Sequence, residues 1–136
     1  MSTQHVRDAM VPEPGTLEVT ASAQEAGARL SDPAVRAVLV CDRGRLVGVI
    51  TRKTLVREVV ATGRDPRTTP LGEIAEPPLF TLDAGVSLDD AFQALEEHDL
   101  ERVPVTEEGR LVGILSRTVL QRRLAEDEPP VDEAAS

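Results

Sequence analysis

Two hydroxyl residues stand directly before cations where an apolar strand pattern gives way to a helical one: Thr51-Arg52-Lys53 and Ser116-Arg117. A helix N-terminus carries unpaired backbone N–H groups and partial positive charge, so a hydroxyl and a guanidinium placed there suit a phosphate. Arg36 and Arg102 stand just upstream of further apolar strand patterns and could reach the same anion; His98 is a weaker candidate. The same residues have a purely structural reading. Thr and Ser are good N-caps without any ligand, and helix-surface arginines are mostly solvated. The sequence leaves both readings open.

Other chemistries find little support. There is neither a Gly-x-x-x-x-Gly-Lys loop nor a Gly-x-Gly-x-x-Gly turn. His5 and His98 are far apart, and neither has the Cys or His spacing of a structural metal site. Cys41 lies in the alternating stretch "AVLVCD", where a buried or half-buried thiol outweighs a nucleophile. The pairs Glu96-Glu97 and Glu107-Glu108 fall on a helix end and a turn, as solvated faces do. With no nucleophile, base or metal constellation, the expectation is a protein that is not an enzyme and requires no cofactor.

The elements that must position these residues are written twice. "LVGVITRKTL" begins at Leu46, and "LVGILSRTVL" begins sixty-five residues later at Leu111. The same offset places Thr16-Leu17 on Thr81-Leu82, Ser22 on Ser87, Ala26 on Ala91 and Val38 on Val103. A constant offset held over about fifty positions is internal duplication.

Each copy reads alike. A short strand is expected around Thr16–Val19 and again over Leu79–Leu82. A helix follows, opened by Ser22 or Ser87 as N-cap, with Glu25 or Asp90 three residues on as in a capping box. Then come the strands "RAVLVCD" and "GRLVGVI", joined through Arg43-Gly44, and "ERVPVTE" and "GRLVGIL", joined through Glu108-Gly109; both read as hairpins. A last helix starts at Thr51 or Ser116. The boundaries expected are a first repeat over 1–62, a turn-rich linker over 63–70, a second repeat over 71–124 and an acidic, disordered tail over 125–136. One copy is too small to bury both faces of its sheet. Two would pack sheet to sheet with pseudo-twofold symmetry, leaving two equivalent clefts, an α+β architecture with each repeat β-α-β-β-α.

Composition bounds the rest. Hydrophobic residues make up 40% of the 136, enough for a core, yet there is no Trp or Tyr and only Phe80 and Phe92. The core must therefore be built from Val, Leu, Ile and Ala. No apolar run approaches a membrane span, the start "MSTQHVRDAM" has no signal-peptide core, and one cysteine allows no internal disulfide, so a reduced, cytoplasmic setting is expected. Acids outnumber bases 24 to 15, for a net charge of −9. Nucleic-acid affinity comes from neutralising phosphates, so neither nucleic acid nor membrane is an expected partner.

These residues resemble the cystathionine-β-synthase (CBS) domain, which occurs as a tandem pair, or Bateman module. The resemblance rests on "VRDAM" and "LGEIA" at the copy starts, "VRAVLVCDRGRLVGVIT", "ERVPVTEEGRLVGILS" and the linker "GRDPRTTPLGEI", which is like that of small free-standing bacterial pairs. It covers roughly Val6 to Leu124. It implies a regulatory module that binds AMP, ADP, ATP or S-adenosylmethionine in the clefts, signals to a separate effector protein, and forms a homodimer. Mapped onto this chain, the ligand-contacting positions are Thr16, Arg36, Val38, Leu39, Thr51, Arg52, Lys53 and Thr54 in the first copy. In the second they are Thr81, Arg102, Val103, Pro104, Ser116 and Arg117. The family places Asp at position 54 or 119 to accept both ribose hydroxyls, because a carboxylate is acceptor-only. Here those positions are Thr54 and Val119, which also removes the acidic half of the capping box. Leu39 likewise replaces the proline that Pro104 keeps. The first site is thus expected to be the better nucleotide site, with the second degenerate. The alternative is a ligand-free interaction scaffold that keeps the fold and dimer surface.

Overall fold

The structure, a computed structural model, describes residues 4–12, 15–78 and 80–127. In order these form α1 (Val6–Ala9), β1 (Val11–Pro12), β2 (Thr16–Glu18), α2 (Ala23–Leu30), β3 (Val38–Asp42), β4 (Arg45–Ile50) and α3 (Arg52–Leu55). One π-helical turn (Val56–Val60) extends α3, and then come α4 (Leu71–Ile74), β5 (Leu82–Asp83), α5 (Leu88–Glu97), β6 (Arg102–Glu107), β7 (Arg110–Ser116) and α6 (Arg117–Asp127). The α+β reading and the duplication both hold. Helix α6 runs through Asp127, so the first residues assigned to a tail are helical; residues 128–136 lie outside the described part, as does Leu79.

Both hairpins turn where expected. Arg43 and Gly44 have φ of 53° and 85°, and Glu108 and Gly109 of 54° and 80°. Two successive left-handed residues match the right-handed twist of the strands they join. The expected N-caps are also present: Ser22 Oγ accepts from the Glu25 N–H and Ser87 Oγ from the Asp90 N–H, each at 3.2 Å.

The chain forms two compact units, and they do not follow the repeats. The first comprises residues 4–12, 80–107 and 112–127; the second comprises 15–78 and 108–111. The first unit therefore holds the second repeat together with α1, which leads into the first repeat. Its core joins Val6 and Ala9 of α1 to Leu88, Ala91 and Leu95 of α5, Val103 and Val105 of β6, and Leu115 and Leu120. The second unit holds the first repeat together with α4, which leads into the second. There Leu71 and Ile74 of α4 join Ala26, Leu30, Val38, Val40, Ile50 and Val59.

Glycine marks each crossing. In the second unit Val49 pairs with Glu76, and a Cβ on Gly48 would lie 2.6 Å from Ala75 Cβ. In the first unit Val11 pairs with Ile114, and a Cβ on Gly113 would lie 2.8 Å from the Val11 carbonyl. Any side chain there would push the lead-in segment off its strand.

Within each unit the sheet is mixed. In the second unit β2 runs parallel to β3 (Thr16↔Leu39, Leu17↔Val40), and β3 runs antiparallel to β4 (Val38↔Ile50, Leu39↔Val49). In the first, β5 runs parallel to β6, but only from Leu82↔Val105. The strand expected over Leu79–Leu82 is thus displaced to Leu82–Asp83, with a physical reason. The Ala84 N–H donates to the Thr106 carbonyl at 2.9 Å, so Thr106 faces β5. By strand alternation Pro104 faces it too, with no N–H to give. Leu39 has that N–H, and β2 accordingly starts at Thr16.

Candidate functional site

In the second unit the register collects the first-copy residues at one end of the sheet. Thr16, Leu39 and Val49 are successive Cα partners across β2, β3 and β4. Val38 pairs with Ile50, so Arg36, two residues before Val38, lies beside the β4–α3 junction where Thr51 sits. Thr16 and Thr51 are half-buried, Val38 and Leu39 are buried, and Arg36 is exposed with no ion pair to a described residue.

Thr51 caps α3, and Thr54 completes the cap. The Thr54 N–H donates to Thr51 Oγ1 at 3.3 Å, the Thr51 N–H donates to Thr54 Oγ1 at 3.1 Å, and the two hydroxyls lie 3.0 Å apart. This corrects the expectation that losing the acid breaks the capping box: a threonine hydroxyl serves as the returning acceptor. Thr54 is wholly buried, and its hydroxyl is spent on Thr51. Arg52 is engaged as well. Its Nη2 donates to the Asp32 and Val35 carbonyls, both at 2.9 Å, so it clamps the loop between α2 and β3. Lys53 is exposed and shares the helical stripe of Val56 and Val60.

The first unit holds the second-copy residues with a different balance. Ser116 Oγ accepts from the Val119 N–H at 3.2 Å, and Val119 returns nothing polar. Arg117 is mostly covered, at 20% side-chain exposure, and meets Glu96, Asp99 and Glu101 at 3.5, 3.6 and 3.7 Å. Its N–H donates to the Glu101 carbonyl at 2.8 Å. The two duplicated arginines thus fasten the same loop, Arg52 through neutral carbonyls and Arg117 through carboxylates. Three acids around one guanidinium oppose an added anion. Thr81 and Pro104 are half-buried, Val103 is buried, and Arg102 is exposed without an ion pair to a described residue.

Cys41 is buried, and its thiol is pushed up by that burial and secondarily by Glu18, the opposite of an activated nucleophile. His98 ends α5 with its ring against Phe80, centroids 4.3 Å apart. Among the described residues no three His, Cys, Asp or Glu side chains group as a metal site, and no helix is long and apolar enough to cross a membrane. Sequence reasoning missed Gly48 and Gly113, although their equivalence at the sixty-five-residue offset was a signal that both repeats need a bare backbone there.

The CBS-domain family model matches this chain twice, over residues 6–61 and 71–126. The chain belongs to the CBS-domain family. Such pairs are generally regulatory, non-catalytic modules. This CBS pair is 38% identical over 93 residues to Hypoxic response protein 1 of Mycobacterium tuberculosis, an alignment spanning 68% of this chain and 65% of that protein, just under two thirds of its length. It is 31% identical to the CBS domain-containing protein YhcV of Bacillus subtilis, over 82% of this chain and 79% of that one. Among solved structures, Hypoxic Response Protein I with two coordinated zinc ions superposes with a TM-score of 0.71 at 31% identity, covering 88% of this chain and 98% of that one. CBSX2 in complex with AMP superposes with a TM-score of 0.70 at 25% identity, covering 92% and 98%.

Proposed function

We propose that this CBS pair is a cytoplasmic regulatory module that binds an adenine nucleotide or adenosyl ligand through its first repeat and signals occupancy to a separate effector protein. The observation that carries the reading is the strand register that brings Thr16, Leu39, Thr51 and the exposed Arg36 to one end of the second unit's sheet. Thr16 and Thr51 offer hydroxyls, Leu39 an apolar surface for a flat base, and Arg36 a cation for a phosphate. The AMP held by CBSX2, a neighbour of the same fold, supports the ligand class. The second repeat contributes less, because Glu96, Asp99 and Glu101 already occupy Arg117.

A second reading, a ligand-free scaffold, draws on Thr54. A hydroxyl buried and committed to Thr51 leaves no acceptor for a ribose diol at the position where the family uses Asp. A thermal-melt screen against AMP, ADP, ATP and S-adenosylmethionine separates the two. A ligand at 100 times its Kd adds about 2.7 kcal/mol, a shift of several degrees. A shift reduced by Arg36→Ala supports the sensor; no shift with any of these ligands supports the scaffold.

A further inference from the structure

The duplication sets one residue opposite its own copy. In the second unit β4 and the start of β7 run antiparallel, with Arg45 and Arg110 as Cα partners. The two are equivalent at the sixty-five-residue offset. The Leu111 N–H donates to the Gly44 carbonyl at 3.0 Å, so the arginines form a non-hydrogen-bonded pair, in which side chains stand closest. Like charges placed directly opposite in this way cost stability.

Each guanidinium lies across the other strand's turn. A Cβ on Gly44 would meet Arg110 Nη2 at 2.5 Å and its Cζ at 3.1 Å, and one on Gly109 would meet Arg45 Nη1 at 3.0 Å and its Cζ at 3.4 Å. The two bare turns are thus floors on which the guanidiniums rest. Arg45 Nη1 donates to the Glu108 carbonyl at 3.1 Å, whereas the Arg110 side chain makes no hydrogen bond among the described residues. Both arginines are exposed, and neither makes an ion pair with a described residue, although Asp42 is the Cα partner of Arg45 on β3. Glu107, at the end of β6, is paired with Arg7 at 3.8 Å instead. In a chain of 24 acids and 15 bases, two adjacent cations therefore keep most of their N–H donors unspent.

We infer that Arg45 and Arg110 form a binding site for a diphosphate anion, at the opposite end of β4 from Thr51. The chemistry selects this class. A guanidinium is a planar fork of donors, and a single carboxylate is saturated by one such fork. A diphosphate carries two phosphoryl groups on one bridging oxygen, so each arginine has its own set of acceptor oxygens. Its negative charge also offsets the repulsion between the two cations, which nothing else among the described residues does. The turns fix the geometry, because only a residue without a side chain leaves room for the crossed forks at Gly44 and Gly109. Since the pair is open to solvent, a free diphosphate and the diphosphate end of a nucleotide present the same group to it.

The test is a titration of the isotopically labelled full chain with sodium diphosphate, to about 10 mM at low ionic strength, read from backbone amide shifts. The Gly44 and Gly109 amides are expected to move and saturate while those of Thr51 and Thr54 stay in place. Arg45→Gln and Arg110→Gln should each weaken binding at least about ten-fold, with the rest of the spectrum unchanged as evidence of an intact fold. ADP in place of diphosphate separates the sources. Tighter binding of ADP at the same two glycines supports the inference with a nucleotide as donor of the group, and binding no tighter than diphosphate supports it with the free anion. Absence of saturation overturns the inference, and so does an affinity indifferent to both glutamine variants. Shifts confined to Thr51 and Thr54 also overturn it, while leaving the nucleotide site of the first repeat standing.

Discussion

At position 54 a hydroxyl closes a reciprocal cap with Thr51, while at position 119 only the backbone N–H reaches Ser116. Thr54→Val leaves the Thr51 N–H without its acceptor and is expected to lower stability by about 1–2 kcal/mol, read as a fall in melting temperature of several degrees. Val119→Thr should return part of such a gain to the second repeat. The paired arginines diverge in a way that salt resolves. Arg117→Ala removes ionic contacts, so its stability deficit should shrink in about 0.5 M NaCl, whereas the deficit of Arg52→Ala, whose partners are carbonyls, should persist. Cys41 keeps its proton in the fold beyond its ordinary titration range. The unfolded thiol ionises first as pH rises, so its contribution is whole below the ordinary thiol value and is lost above it. Native Cys41 should accordingly react with a disulfide reagent only as fast as the protein opens.

At the scale of elements, much was legible because the signals are local. Left-handed dipeptides at Arg43-Gly44 and Glu108-Gly109 and hydroxyls at Ser22 and Ser87 each act within a few residues, and each was found where the pattern put it, whereas β3, read as an alternating strand, is buried at four successive residues from Val38 to Cys41. The start of β5 was misplaced because its length depends on a partner twenty-three residues on in the chain, where Pro104 lacks a donor. Leu39→Pro should transfer that defect to the first repeat, detaching Thr16 from β3 at a cost of about 3 kcal/mol. Faster hydrogen exchange confined to β2 and β3 would register it. The candidate site was legible as a list of types, but not in its commitments. Nothing local in the sequence tells that Arg52 serves two carbonyls or that Arg117 serves three acids.

For the whole molecule, duplication was plain, and the assignment of α1 and α4 was not, since each segment opens its own repeat in the chain and packs in the unit of the other. Gly48→Ala, with its new methyl facing Ala75 Cβ at 2.6 Å, should destabilise by about 1–3 kcal/mol through a segment that belongs to the following repeat. That trade of leading helices carries a consequence for ancestry and for dissection. Neither repeat owns all the parts of a finished core, so a chain of one repeat would be complete only by lending its first helix to a twin. Severed within residues 62–68, the two halves should each stay unfolded alone and regain native circular dichroism only when mixed, two borrowers that one covalent thread now keeps permanently within reach of each other.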